Sequence, residues 1–132
     1  MIQLSVSVNA RRILCAIYLL LVAWFSLQPQ ATMPQDISDK LLHFVTYTGA
    51  SLLWAFAAQS RRTVLLALPV LITYGVTLEL AQGLTPDRFM SVGDALANSA
   101  GVCIGIGLFL PVQSSSTLRR LLALPHLFFA KG

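Results

Sequence analysis

Charged side chains in this sequence fall almost entirely between or at the ends of four long apolar runs, and that spacing limits what the chain can fold into. The runs cover residues 13–27, 41–59, 63–84 and 92–112. A membrane-spanning helix needs about 20 mostly apolar residues. Three runs have that length; the first is shorter, and Arg11 and Arg12 at its start can snorkel towards water. Lipid offers no partner for an exposed backbone amide or carbonyl, so the runs must be helical. Only 11% of the 132 residues are charged, whereas soluble domains carry about 25%. A chain with so few charges cannot cover a water-facing surface. The expected fold is all-α: a polytopic membrane protein of four transmembrane helices with short loops.

The first run has a rival reading as a signal peptide, since positive charge precedes an apolar core. It ends SLQPQAT, without the small-x-small pattern of a cleavage site, so an uncleaved helix is expected. Short breaks join the runs: QPQATMPQDISDK, QSRR and TPDRFMS. Residues 1–112 then form one four-helix domain, and residues 113–132 a tail that is either an interfacial amphipathic segment or frayed.

Basic residues orient the bundle, because loops rich in lysine and arginine stay in the cytoplasm. Arg11, Arg12, Arg61, Arg62, Arg119, Arg120 and Lys131, seven of the nine basic residues, fall on one side of a four-span arrangement. Both termini are therefore expected to be cytoplasmic. The scattered basic pairs form no continuous basic face, so a nucleic-acid partner is not expected. Cys15 and Cys103 both lie in apolar runs and read as small hydrophobes.

The same topology gathers the polar residues at the opposite, outer end. Three of the chain's five acidic residues, Glu79, Asp87 and Asp94, fall within residues 77–98. At the start of the second run Lys40, His43, Tyr47 and Ser51 share one helix face, with Asp39 one turn above His43. The third run ends with Glu79 and Gln82, and the fourth begins with Asp94 and Asn98. Glu79 is about five residues inside its run, or roughly 7–8 Å deep at about 1.5 Å per residue. A carboxylate there is costly against lipid and should face the bundle, meeting Arg88, Lys40, His43 or an amide. The candidate polar site is thus Asp39, Lys40, His43, Tyr47, Glu79, Gln82, Arg88, Asp94 and Asn98.

Such a cluster either binds a ligand or clamps three helices in register, and both readings stay open. Glu79 and Asp94 can divide acid and base roles if their environments differ, but no catalytic residue is assigned. No serine nucleophile elbow, phosphate-binding glycine loop or metalloprotease helix motif is present. His43 is the only histidine expected on this side, so no metal and no cofactor are expected. Gly101 and Gly105 suit close packing within the chain better than dimerisation. Phe89 and Met90 read as interfacial anchors, and Tyr18, Trp24 and Trp54 as lipid or packing contacts.

Two segments, SDKLLHFVTYTGAS and TLELAQGLTPDRFMSVGDALANSAGVCIG, resemble the VanZ-like family of small bacterial membrane proteins. The pattern is an ordered set: D-K-x-x-H-F (Asp39, Lys40, His43, Phe44), E-x-x-Q (Glu79, Gln82), then Arg88 and Asp94 six apart, and D-x-x-x-N (Asp94, Asn98) before Gly101. It covers residues 38–108 or so. The family takes its name from a member linked to teicoplanin resistance. The resemblance implies a role at the outer face of the cytoplasmic membrane, near cell-envelope precursors. The expected function is an outward-facing polar pocket that binds or modifies an envelope component, with a link to glycopeptide susceptibility. The alternatives are a membrane-embedded hydrolase or transferase using paired carboxylates, and an accessory subunit whose polar clamp is structural. Expected partners are membrane lipids, together with a lipid-linked envelope precursor or a membrane protein.

Overall fold

A computed structural model describes residues 7–28, 38–85 and 89–115, and all regular structure among them is helical. Five helices follow in order: α1 Val8–Ser26, α2 Asp39–Ala57, α3 Arg61–Leu65, α4 Ala67–Gln82 and α5 Val92–Ser114. Local chemistry sets their starts. Ser7, Ser60 and Ser91 each accept a bond from the backbone N–H three residues on, at 3.1–3.2 Å, satisfying a donor the helix cannot. The cap at Ser7 starts α1 before the expected residue 13, so Arg11 and Arg12 lie within the helix rather than ahead of it.

The third apolar run contains a break that the reading of one uninterrupted helix did not anticipate. Pro69 has no N–H for the carbonyl of Leu65, and its ring crowds that carbonyl. The helix accordingly stops at Leu65 and resumes at Ala67, with Leu66 N bonding Arg62 O at 3.0 Å and Val70 N bonding Leu66 O at 3.2 Å on either side.

Among the described residues, three helical segments are long and apolar enough to cross a membrane: α1, α3 with α4 (Arg61–Gln82), and α5, of 19, 22 and 23 residues. The expectation of four such helices is corrected to three. The missing one is α2, which has 19 residues but carries Asp39, Lys40, His43, Thr46, Tyr47, Thr48 and Ser51. Its position explains that polarity. α2 packs on every other helix and most extensively on α5, so its polar side chains meet protein. Tyr47, Ala50, Ser51 and Ala55 are buried there, in a core completed by Val22, Val64, Ala67, Leu71, Val102 and Ile106.

Glycine lets α2 and α5 run parallel in close contact. A Cβ on Gly101 would collide with the carbonyl oxygen of Phe44, and one on Gly105 with Ser51 Oγ and, at 2.8 Å, with Thr48 O. The two glycines therefore face α2 within the same chain, as the sequence suggested. α1 runs antiparallel to α2: Arg11 Nη1 donates to Phe56 O at 2.8 Å and the guanidinium lies 5.3 Å from the Phe56 ring centre. Tyrosine hydroxyls tie α1 to its neighbours, Tyr18 donating to Thr46 O at 3.0 Å and Tyr74 to Leu19 O at 2.5 Å. The outer faces are apolar; Ile13, Ile17, Leu20 and Trp24 on α1, Leu41 and Val45 on α2, and Leu96, Ile104 and Leu108 on α5 are all exposed.

Candidate functional site at the polar end of the bundle

These helix directions bring the end of α1, the start of α2, the end of α4 and the start of α5 to one end of the molecule. Asp39, Lys40 and His43 come from α2, Glu79 and Gln82 from α4, and Asp94 and Asn98 from α5. Arg11 with Phe56, and Trp54 with Thr63, mark the other end.

Contacts across the α2–α5 seam follow the sequence stripes. Lys40 Nζ lies 3.7 Å from Asp94 Oδ1. His43 Nδ1 is 3.0 Å from Asn98 Oδ1, and its Nε2 is 3.7 Å from Asp39 Oδ1. Asn98 is buried, and an amide oxygen can only accept, so His43 Nδ1 carries the proton of that bond. Asp94 stands in the first turn of α5, where the unpaired amides of the helix start favour negative charge. Asp94 is itself buried, while Lys40 is largely in solvent. At 3.7 Å the pair is an ion pair without a hydrogen bond, and Asp94 Oδ1 has no hydrogen-bond partner.

The α4 residues do different work. Glu79 is buried, and its Oε1 accepts the backbone N–H of Ser91 at 2.8 Å. A helix-end carboxylate thereby satisfies an amide at the entry to α5 and ties the end of α4 to it. Its second oxygen, Oε2, has no hydrogen-bond partner. Gln82 turns the other way and donates to Ser26 O at 2.8 Å, fixing the end of α1. Glu79 and Asp94 thus engage different groups, Ser91 and Lys40, rather than sharing one partner. Arg88, the ninth candidate, lies outside the described residues.

A cleft of about 400 Å³ opens beside this seam. α1 supplies Tyr18, Leu21, Val22, Phe25 and Ser26, and α2 supplies Asp39, Leu42, His43, Thr46 and Tyr47, with Gln82 from α4. Its walls are mostly apolar, and Asp39, His43 and Gln82 lie towards the polar end. Of the nine candidates, Asp39, His43, Tyr47 and Gln82 line the cleft, while Lys40, Glu79, Asp94 and Asn98 are not among its lining residues. The sequence reading missed the α1 contribution altogether. Tyr18, a polar ring in an otherwise apolar run, was the available signal; the Ser26 group that Gln82 meets is a backbone carbonyl, which no sequence pattern announces.

The arrangement holds a mixed set of groups: buried carboxylates, an oriented imidazole, an exposed ammonium and neutral amides. It can bind a polar or charged headgroup at the bundle end while an apolar chain lies along α1 and α2. No curated protein and no solved structure matches the chain. A family model described as VanZ/LLP1 matches residues 19–114, most of the chain and every helix described except the first turns of α1. The chain thus belongs to the VanZ/LLP1 family, and its apolar helices fit a membrane protein of that type.

Proposed function

We propose that this protein spans the bacterial inner membrane four times, α2 included, with both termini in the cytoplasm and the polar end facing outward. There it binds, or helps to modify, a lipid-linked component of the cell envelope. The observation that carries this reading is the cleft of about 400 Å³, apolar along α1 and α2 and polar at the Asp39–His43–Gln82 end. That polarity gradient matches an amphipathic ligand whose chain lies between helices and whose headgroup reaches the water interface. A change in susceptibility to glycopeptides of the teicoplanin type is the phenotype through which such an envelope change would be seen.

Native mass spectrometry of the chain extracted in mild detergent tests the binding reading. The wild type should retain an envelope lipid, and Thr46→Trp, which fills the cleft from α2, should lose it while still folding. Identical lipid profiles for the two would sink it. In cells, Glu79→Gln and Asp94→Asn should abolish the envelope phenotype while the protein accumulates normally.

A structural clamp is the second reading, and three contacts favour it. Glu79 with Ser91, Gln82 with Ser26, and His43 with Asn98 each join the polar ends of two different helices. A clamp that serves a larger membrane complex predicts a stoichiometric protein partner on purification. It also predicts that polar substitutions change stability and leave bound lipid unaltered.

A further inference from the structure

We infer that Asp39, His43 and Asp94 form a binding site for a divalent transition-metal ion at the mouth of the cleft. One ligand atom from each residue can be chosen so that all lie within 4.8 Å of one another. Around a tetrahedral ion with bonds of about 2.0–2.2 Å, ligand atoms stand about 3.3–3.6 Å apart. The cluster therefore needs to contract by up to about 1.5 Å, and the half-exposed Asp39 side chain has room to move.

Two independent features point to a cation rather than to a chance meeting of polar groups. The first is the orientation of His43. Asn98 Oδ1 holds Nδ1 as a donor, which turns Nε2 towards Asp39, 3.7 Å from its Oδ1. Metal-bound histidines are fixed in this way, by a hydrogen bond from the nitrogen that does not coordinate. The second is Asp94, whose side chain is only 9% exposed and whose Oδ1 makes no hydrogen bond. A buried carboxylate oxygen without a partner is unfavourable unless a charge completes it. The Lys40 ammonium at 3.7 Å is a weak substitute, because its side chain is 66% exposed and free to leave.

The donor set indicates the class of ion. One imidazole with two carboxylates suits Zn²⁺ or Mn²⁺, whereas Ca²⁺ and Mg²⁺ favour oxygen alone. Three protein ligands leave coordination positions open. Asp39 and His43 both line the cleft, so an open position would face it and receive an anionic group. A single histidine speaks against a metal in the sequence, but the α2–α5 fold sets two carboxylates beside it. The site goes beyond the envelope-lipid reading and stands or falls without it.

The test is isothermal titration of ZnCl₂ and MnCl₂ into the tag-free, full-length chain in mild detergent after chelator treatment, with metal content measured by mass spectrometry. One ion per chain is expected. Asn98→Ala should weaken binding by about 10–100-fold, as loss of the hydrogen bond that orients a metal-bound histidine does. His43→Ala and Asp94→Asn should weaken it further. Lys40→Met removes the competing ammonium and no ligand, so it should bind the ion more tightly than the wild type. That variant keeps the test decisive if a ligand variant fails to fold. A folded wild-type chain that takes up neither ion overturns the proposal. So does binding that His43→Ala and Asp94→Asn leave unchanged, or that Lys40→Met fails to strengthen.

Discussion

Glu79 combines two demands that a carboxylate rarely meets inside an apolar helix. One oxygen ties α4 to the start of α5 by accepting Ser91 N–H, while the other is buried without a hydrogen bond. Glutamine keeps the accepting oxygen and removes the buried charge, whereas alanine leaves the Ser91 amide unanswered. Glu79→Gln should therefore unfold in detergent close to the wild-type temperature. Glu79→Ala should lose about 1–3 kcal/mol, the cost of a part-buried donor stripped of a charged acceptor. Thermal unfolding of the two variants checks this, and equal losses would mean that the charge, not the Ser91 bond, matters to the fold. The contrast also separates fold from function, because the proposed function predicts that Glu79→Gln loses the envelope phenotype while its fold survives. At this scale the sequence spacing was informative where both partners lie on helices. Lys40 met Asp94 and His43 met Asn98 because three- and four-residue steps fix which side chains share a face. It was silent where a partner is backbone: the Ser91 amide for Glu79, the Ser26 carbonyl for Gln82 and the Phe56 carbonyl for Arg11.

Between elements, the α2–α5 seam depends on missing side chains. Membrane helices gain no hydrophobic drive from meeting each other, so backbone proximity and interhelical hydrogen bonds must hold them. Such bonds average about 0.6 kcal/mol, which makes the glycine contacts indispensable to the seam. A methyl group on Gly101 would strike the Phe44 carbonyl and lie 3.0 Å from Thr48 N, both backbone atoms that cannot rotate away. Gly101→Ala should therefore destabilise the bundle by about 1–3 kcal/mol, the usual cost of overpacking. Gly107 lies on the same helix with nothing within 4 Å of an added Cβ. Gly107→Ala should be neutral, or stabilising by up to about 1 kcal/mol through helix propensity. Unfolding of the pair by denaturing detergent measures the difference, and equal effects would show that the seam tolerates separation. The sequence foretold close packing at Gly101 and Gly105, since small residues four apart mark a helix contact. The break at Leu66 was written in Pro69 as well, yet the continuous apolar pattern across residues 63–84 hid it.

For the whole molecule, the topology turns on α2. Apolarity alone counts α1, α3 with α4, and α5. But apolarity measures the preference of a lone helix for lipid, and α2 is the helix with the most protein around it. Its 19 residues extend about 28 Å at about 1.5 Å per residue, close to the hydrocarbon thickness of about 30 Å. Thr48 and Ser51 bond carbonyls of their own helix, at 2.8 and 2.9 Å, so they carry no unmet polar group into the interior. The charged residues of α2 are confined to its first turn, at the end shared with Glu79 and Asp94. Each of these features fits a span shielded by its neighbours. The two topologies differ in a measurable way. With four spans, a reporter fused at Pro34 lies outside, one at Arg61 lies inside, and the two termini share the cytoplasm. With α2 lying along the surface, Pro34 and Arg61 report the same side and the termini fall on opposite sides. Alkaline phosphatase and fluorescent protein fusions at Pro34 and Arg61 should therefore give opposite signals, with phosphatase active at Pro34. Matching signals would remove α2 from the set of spans and, with it, the outward-facing site that α2 and α5 form together.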